Sequence, residues 1–471
     1  MYPKAYWHNN ISNSTINHIK DKMKDKAMDR REFLSKSAKL GLAGIATPAF
    51  LTACSGKGNA LTPLRQEGTY YVPELPDKAI EGRELKVGVV GCGGRGSGAI
   101  NDLLDAADGV TVTALGDTFI DRANSLRENL SKRGQNVPDE GIYIGFDAYK
   151  QVIDSGVDMV ILATPPVFRA EHFRYAVEKG VHAFLEKPIA VDPVGYRTII
   201  AAARQAQAKN LSVVTGTQRR HQRCYVEAFK LIQQGIIGDI TGGNVYWNGG
   251  MLWYRERQPE WSDMEWMIRD WVNWKWLSGD HIVEQHVHNI DVFMWMTGMK
   301  PVSATGFGNR NRRITGDQFD QFSVDFTFEN GIHLHSMCRQ IDGCSNRVSE
   351  FIQGAKGSWD SQTNEIHDLA GNLLWKYDDA AFGAQYQQHN PYVLEHVDWV
   401  NHIRKGEGHD EATATAEASL AAVMGRESAY TGATVTWEEM SASTLNYTPD
   451  HLAIGPMDMS GYTVAVPGKG R

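Results

Sequence analysis

One stretch of the chain, from Gly279 to Asp291, combines histidines and carboxylates at spacings that suit acid–base chemistry. On a continuous helix, Glu284 and His288 are four residues apart and face the same way. Asp291 lies three residues beyond His288 on nearly the same face. Because a carboxylate that orients an imidazole makes a general base tuned near neutral pH, we interpret His288 as a proton acceptor.

Two other interpretations of this stretch stay open. His281, Glu284 and His288 would share a helix face and could bind a metal ion, whereas His286 would not. The histidines could also form a purely structural cluster. We favour acid–base chemistry and expect no metal. The cysteines contain no C-x-x-C pair, which argues against a structural zinc site of that kind. They are Cys54, Cys92, Cys224, Cys338 and Cys344.

A glycine-rich segment predicts a dinucleotide site. The run Gly91-Cys92-Gly93-Gly94-Arg95-Gly96 follows an apolar strand candidate over 85–90 and precedes a helical stretch. In this G-x-G-x-x-G pattern the glycines allow a tight turn, close backbone approach to a pyrophosphate, and close packing of helix on strand. Free N–H groups at the helix start would then hold the phosphates.

An acidic residue after the next strand indicates which dinucleotide binds. Strand 110–115 leads into Gly116-Asp117, and Asp117 lies 26 residues after Gly91. A carboxylate at this spacing can accept hydrogen bonds from the adenosine ribose. It would also repel a 2′-phosphate, so we expect NAD and favour it over NADP. Arg95 is the feature that keeps NADP open.

The elements that must position these residues are strands alternating with helices up to about residue 216, which predicts a doubly wound Rossmann-type parallel sheet. Ligands of such sheets bind at the carboxyl ends of strands. We therefore expect the residues at these ends to share one crevice. They are Gly91, Asp117, Thr164 and Lys187.

From Gln218 onward, alternating segments predict a second α/β domain with a large, mainly antiparallel sheet, followed by closing helices over 391–404 and 412–430. Seven of the 13 tryptophans fall between Trp247 and Trp276. Aromatic faces can stack on sugar rings, but we expect most of these side chains to build core or a subunit interface.

The first residues of the sequence resemble an export signal. Arg30-Arg31 precedes Phe33-Leu34 and an apolar stretch, as in a twin-arginine export signal, and Cys54 ends a lipobox-like sequence. We therefore expect a periplasmic protein, lipidated at Cys54. The predicted organisation is a leader over 1–54, a linker over 55–83, a Rossmann domain over 84–216, a substrate domain over 217–440 and a tail over 441–471.

Composition excludes several classes of protein. A net charge of -8 offers no basic field for nucleic acid, and five cysteines among 471 residues rule out a disulfide scaffold. The chain has no apolar run near 20 residues, so we expect membrane contact only through the lipid anchor.

The glycine loop, Glu186-Lys187-Pro188 and the Glu284–Asp291 stretch together resemble the glucose-fructose oxidoreductase / inositol dehydrogenase (Gfo/Idh/MocA) family, over about 85–436. The resemblance implies that Lys187 lies by the nicotinamide and holds the substrate hydroxyl. It also implies that Glu284 orients a catalytic His288. The family's acid is commonly Asp, so Glu284 is a departure.

A second departure follows Thr164-Pro165, where the family often has Asn and then His and this chain has Pro166, Val167 and Phe168. The resemblance implies that further residues bind the cofactor besides the glycine loop and Asp117. They are Thr164, Pro165, Glu186 and Lys187. Those implied for the substrate involve Lys187, Arg219, His288 and Asp291.

The implied activity is oxidation of a secondary alcohol on a sugar or cyclitol, with the cofactor tightly bound and recycled. One alternative is a glycosidase that uses NAD transiently, as some family members do, α-N-acetylgalactosaminidases among them. That group tends to lack the lysine, which is present here as Lys187. Another alternative is a non-catalytic sugar-binding protein. The family also implies a homo-oligomer that pairs through a sheet face.

Overall fold

The computed structural model describes residues 61–468. The expected twin-arginine leader and the Cys54 anchor lie outside these residues. In the described part of the chain, no helix is both long and apolar enough to cross a membrane.

Strands and helices alternate through the first half, and strands dominate the second. The strands are β1 Leu85–Val90, β2 Val110–Asp117, β3 Ile142–Ile144, β4 Met159–Leu162, β5 His182–Leu185, β6 Ser212–Thr215, β7 Ile240–Gly249, β8 Pro301–Asn309, β9 Gln321–Phe328, β10 His333–Gln340, β11 Arg347–Gly354, β12 Gly357–Asp360, β13 Glu365–Asp368, β14 Leu373–Lys376, β15 His409–Asp410 and β16 Val435–Thr436. The α-helices are α1 Gly94–Ala106, α2 Ile120–Ser131, α3 Ala148–Asp154, α4 Pro166–Lys179, α5 Pro193–Ala208, α6 Arg223–Gln233, α7 Asp263–Arg269, α8 Lys275–Ser278, α9 His281–Glu284, α10 Val287–Thr297, α11 Pro391–Lys405, α12 Ala412–Thr431 and α13 Trp437–Ala442.

The first sheet has seven parallel strands in the order β15-β6-β5-β4-β1-β2-β3. Its central strands are apolar on both faces because helices cover both sides. All four residues of β4 are buried, for example. The predicted doubly wound parallel sheet is therefore confirmed.

The second sheet has nine strands in the order β14-β13-β12-β11-β7-β10-β9-β8-β16. Neighbouring strands run antiparallel except β7 and β10. Side chains of β9 alternate between buried and half-buried, because α12 covers one face of this strand. The mainly antiparallel second sheet is confirmed as well.

Later parts of the chain complete the first domain. Strand β15 pairs with β6 at the edge of the parallel sheet, and α11 packs on α1. The described part of the expected linker, residues 61–83, packs on the protein. The backbone N–H of Leu64 donates to Gln233 O at 2.9 Å, and the Tyr71 hydroxyl donates to Asp398 at 2.6 Å.

Candidate active site

The glycine loop leaves room for a ligand at the start of α1. Gly91 has a φ of +91°, and a Cβ there would lie 2.6 Å from the backbone N of Thr164. A Cβ on Gly96 would lie 1.8 Å from Gly91 O, so both positions require glycine. A Cβ on Gly93 or Gly94 would meet nothing within 4 Å. This open space faces the first turn of α1, where unsatisfied N–H groups favour an anion.

Asp117 lies at the end of β2, beside the loop, as predicted. Its carboxylate accepts hydrogen bonds from the Cys92 N–H at 2.7 Å and the Phe119 N–H at 2.9 Å. Burial raises its pKa, which these two hydrogen bonds partly offset. Each carboxylate oxygen keeps a further lone pair, so Asp117 can also accept from a ribose hydroxyl.

A cleft of about 430 Å³ brings both domains to this loop. Thr164 and Pro165 line it on the first-domain side, as predicted. The side chains that reach it from the second domain include Trp253, Arg255 and Arg269. Arg269 also pairs with Asp121 of α2 at 3.2 Å, which ties α7 to the first domain.

Arginines give one end of this cleft a positive charge. Within residues 61–468 the Arg255 guanidinium has no hydrogen-bonding or ion-pair partner, although it lies over Trp253, 5.5 Å from the ring centroid. Its pKa is lowered by burial first and then by the charges of Arg122 and Arg269. An anionic group bound here would relieve that repulsion.

Arg95 lines the cleft and is paired with carboxylates of the protein itself. Its Nε donates to Glu186, and its guanidinium lies 3.6 Å from Glu395 and 3.4 Å from Asp102. These carboxylates raise the pKa of Arg95 against the effect of burial. The guanidinium that the sequence offered as a 2′-phosphate ligand is therefore already paired within the protein. Glu186, which was expected at the cofactor, accepts a hydrogen bond from Arg95.

Lys187 and Glu284 meet at the end of β5. The Lys187 Nζ donates to the backbone O of Glu284 at 2.5 Å and to its carboxylate at 3.0 Å. Both side chains are largely buried, with 15% and 12% of their surface exposed. The ammonium group is therefore held in one place by two acceptors.

His288 does not share a helix with Glu284, contrary to the sequence prediction. Helix α9 ends at Glu284, and His288 lies in the first turn of α10. Within the described residues its imidazole makes no hydrogen bond, and its Nδ1 is buried without a partner. The pKa of His288 lies well below 6.5, first because the imidazole is buried and second because of the positive charge of Lys187. The expected orientation of His288 by Glu284 is replaced by stacking on Trp247, with ring centroids 5.6 Å apart at 18°.

The two remaining residues expected at the substrate differ in their placement. Asp291 is buried in a double hydrogen bond to Arg220, at 2.7 and 2.9 Å, so the prediction that it faces the substrate is wrong. Arg219 pairs with buried Glu350 and lies over Trp247, 5.5 Å from the ring centroid. Arg219 and His288 therefore both contact Trp247, and the charge of Arg219 also lowers the pKa of His288.

Two site residues escaped the sequence analysis. Arg169 of α4 is buried, and burial lowers its pKa to about 10. It donates to the carbonyls of Pro188 and Thr164, each at 2.6 Å, and so joins two strand-end loops. Glu395 of α11 lies near Arg95, and burial first and Glu186 second raise its pKa. No local motif could have indicated either residue, because their partners lie far away or on another element.

The residues present fit a dinucleotide. The space above Gly93 and Gly94 faces the start of α1, and Asp117 lies at the neighbouring strand end. The partnerless guanidinium of Arg255 adds a positive group on the opposite wall. The conditions for phosphate and ribose binding are therefore met by this chain's own residues.

Comparisons with known proteins identify the family of this chain. The model of the "Oxidoreductase family, NAD-binding Rossmann fold" matches residues 85–215, and that of the "GFO/IDH/MocA C-terminal domain" matches 225–360. Among curated proteins, a "Glycosyl hydrolase family 109 protein" of Streptomyces coelicolor is 28% identical over 61% of this chain. The match spans only 56% of that protein's length. An "Uncharacterized oxidoreductase" of Streptococcus pneumoniae is 28% identical over 58% of this chain and 67% of its own.

Solved structures share the fold. Apo scyllo-inositol dehydrogenase from Lactobacillus casei has a TM-score of 0.57 at 20% identity, covering 76% of this chain and 99% of its own. Aldose-aldose oxidoreductase from Caulobacter crescentus has a TM-score of 0.58 at 17% identity, covering 75% and 100%. The two family models together match more than half of the chain. One corresponds to the first domain and the other to the second domain. The chain therefore belongs to the Gfo/Idh/MocA oxidoreductase family and carries its NAD-binding Rossmann domain.

Proposed function

We propose that this protein oxidises a secondary alcohol of a sugar, a glycoside or a cyclitol. The observation that carries the proposal is the fixed position of the Lys187 ammonium group, which Glu284 holds at the end of β5 through two acceptors. Lys187 is fixed as a hydrogen-bond donor, and its charge acts on the buried, neutral imidazole of His288. These two groups can accept a proton from a hydroxyl and stabilise the oxygen that remains.

The chain's own residues divide the work. His288 is neutral at pH 7 because its pKa lies well below 6.5, so its imidazole can take the hydroxyl proton. Lys187 donates a hydrogen bond to the same oxygen, while Glu284 holds the ammonium group in place. When bound, a nicotinamide cofactor supplies the hydride acceptor. Arg169 keeps the loops of Thr164 and Pro188 in register at the strand ends.

NAD is the cofactor that Asp117 favours. In an Asp117→Ala variant we expect NAD affinity to fall ~10–100-fold, which is the range of a hydrogen bond to a charged group. The ratio of NADP to NAD affinity should rise, because the repulsion of a 2′-phosphate disappears. Titration calorimetry with both dinucleotides measures this.

The control for that experiment is Asp105→Ala. Asp105 is an exposed residue of α1, and its carboxylate pairs with Arg133. This variant should bind both dinucleotides as the wild type does. A wild-type protein that already prefers NADP would contradict the assignment of Asp117 and make Arg122 or Arg255 the determinant.

We further propose export by the twin-arginine route and lipid anchoring at Cys54. Free dinucleotide is scarce outside the cytoplasm, so a cofactor released at each turnover would be lost. The cofactor would instead enter before export and be recycled in place by a second carbonyl substrate. Arg255 and Trp253 support this part of the proposal, because they belong to the second domain and line the same cleft as the glycine loop.

Retention gives a direct test. We expect the purified mature protein to keep near-stoichiometric NAD or NADH through extensive dialysis, which needs a Kd well below micromolar, or more than ~8 kcal/mol of binding. Denaturation followed by an enzymatic assay of the supernatant measures the yield. An Arg255→Ala variant should lose cofactor faster. A protein that emerges empty and depends on millimolar added NAD would contradict the proposal.

The second candidate function is an NAD-dependent glycosidase, in which oxidation, elimination and reduction release an aglycone. The names of several curated relatives favour it, including a "Glycosyl hydrolase family 109 protein" of Shewanella that is 25% identical over 77% of this chain. A panel of chromogenic glycosides and cyclitols separates the two. Release of chromophore without an added acceptor indicates hydrolysis, whereas reduction of the cofactor without release indicates oxidation.

A further inference from the structure

A second group of ionisable side chains lies outside the candidate active site. Two sets of three potential metal ligands share Asp398 there: His221, Asp398 and Glu411 in one set, and Asp398, His402 and His409 in the other. His409 also lies 3.7 Å from Glu411. Four of these side chains come from three separate parts of the chain: His221, Asp398, His409 and Glu411. His221 ends a single 3-10 turn over 218–221, Asp398 belongs to α11, and His409 and Glu411 flank the junction of β15 and α12. We call these four side chains the histidine–carboxylate cluster.

Of the three contacts that join the histidine–carboxylate cluster, one is a hydrogen bond and two are longer ion-pair contacts. His221 Nε2 lies 3.2 Å from Asp398 Oδ2 and 3.4 Å from Glu411 Oε1, and His409 Nε2 lies 3.7 Å from the same Glu411 oxygen. Ligands bound to one zinc ion at about 2.0–2.2 Å in a tetrahedron lie roughly 3.3–3.6 Å from one another. These three separations lie close to that range and correspond to three of the six edges of such a tetrahedron.

The outward oxygens of both carboxylates are fixed by other groups. Glu411 Oε2 accepts from the Thr215 N–H at 2.9 Å and from its hydroxyl at 3.3 Å. Asp398 Oδ1 accepts from the Tyr71 hydroxyl at 2.6 Å, and that hydroxyl also lies 3.0 Å from His402 Nε2. Outer contacts of this kind orient metal ligands, and they leave one oxygen of each carboxylate directed at His221.

Burial and charge at the histidine–carboxylate cluster favour the binding of a cation. His221 is fully buried, Asp398 is 2% exposed and Glu411 is 7% exposed. The Nε2 of His409 is buried without a hydrogen-bond partner, although it lies near Glu411. Two buried carboxylates that share two imidazoles carry a net negative charge when the imidazoles are neutral, and a divalent cation would balance it.

We propose that the histidine–carboxylate cluster binds one divalent transition-metal ion with the nitrogen and oxygen preference of zinc. All four ligand positions would be filled by protein, as is typical of a structural site. The ion would fasten α11 and β15 to the turn that carries Arg219 and Arg220. This role goes beyond the proposed oxidation and is independent of it, because none of the four side chains contacts Lys187 or His288 in the described residues.

The test uses the full chain, stripped of metal by a chelator and then reloaded with zinc or cobalt. We expect about one equivalent of zinc by elemental analysis, and a rise of several degrees in the unfolding midpoint on reloading. Cobalt should give the intense visible absorption of a tetrahedral site. Stripped, folded protein that binds neither metal, or whose unfolding midpoint does not move on reloading, would overturn the proposal.

Two variants identify the ligands. Asp398→Asn and His409→Gln keep the size of each side chain and should lower metal affinity at least tenfold and abolish the cobalt spectrum. The control is His333→Gln, since His333 forms an exposed pair with Asp325 at 2.8 Å. Cobalt absorption that survives unchanged in both ligand variants would overturn the assignment. If a variant does not fold, the reloading experiment on the wild type still decides the proposal.

Discussion

Replacement of Lys187 with alanine is expected to lower kcat by ~10²–10⁴, the range for loss of a general acid or an oxyanion donor. The Nζ is held by two acceptors of Glu284 and lies outside the glycine loop, so it can act on the reacting oxygen without contacting the dinucleotide phosphates. Cofactor affinity should therefore change little. Single-turnover reduction of bound cofactor, followed by absorbance, measures the chemical step.

The experiment needs two controls, because the alanine leaves the Glu284 carboxylate without its cation. A Lys187→Ala/Glu284→Gln double variant removes that buried charge and should unfold at a temperature nearer the wild type, yet remain equally slow. Lys150→Ala removes an exposed lysine that pairs with Asp147 and should be as active as the wild type. Wild-type turnover in a folded Lys187→Ala protein would remove Lys187 from the mechanism.

The part of the site that sequence could predict is the part built from local chain geometry. Gly91 and Gly96 must be glycines because backbone atoms lie where a Cβ would be, and their spacing is visible in the chain. Asp117 follows from the length of one helix and one strand. The parallel sheet follows from apolar strands separated by helices, and its carboxyl ends bring Asp117, Thr164 and Lys187 to one edge by topology alone.

The relation between Glu284 and His288 could not be predicted in the same way. The spacing rule assumes one continuous helix, whereas the chain turns between α9 and α10. Tertiary contacts accompany that turn: the buried His286 meets the Ser336 hydroxyl at 2.7 Å, and the Gln285 amide oxygen accepts from Gln340. Both partners belong to β10, so nothing in the local pattern indicates the break. Glu284 therefore serves Lys187, and the ring of His288 packs on Trp247 instead.

Long-range charge pairing explains the other differences. Arg95, Arg219 and Asp291 all looked available for ligands, but each has an oppositely charged partner elsewhere in the chain. Buried charges need such partners, and sequence spacing does not reveal which residue supplies them. Arg255 is different, since the described residues provide no partner for its guanidinium and it faces the cofactor cleft.

His288→Gln should also lower kcat/KM by ~10²–10⁴, because glutamine cannot accept the substrate proton. A folded variant is expected, since the imidazole makes no hydrogen bond that its loss would break. The control is His335→Gln, whose imidazole is exposed and lies 3.2 Å from the Ser323 hydroxyl. Full activity in the His288 variant would assign the proton transfer to another group.

The pH profile supplies the sharper measurement. A base must be neutral to act, so activity is lost as pH falls through the pKa of His288, which burial and then Lys187 hold well below 6.5. The acid limb of kcat/KM in the wild type should therefore lie below pH 6.5. In the slow Lys187→Ala variant one of the positive charges that disfavour the imidazolium is gone, so the limb should move to higher pH. It should still lie below the ordinary histidine value, because burial is the larger cause. An acid limb that does not move in this variant would mean that the charge of Lys187 does not act on the catalytic base.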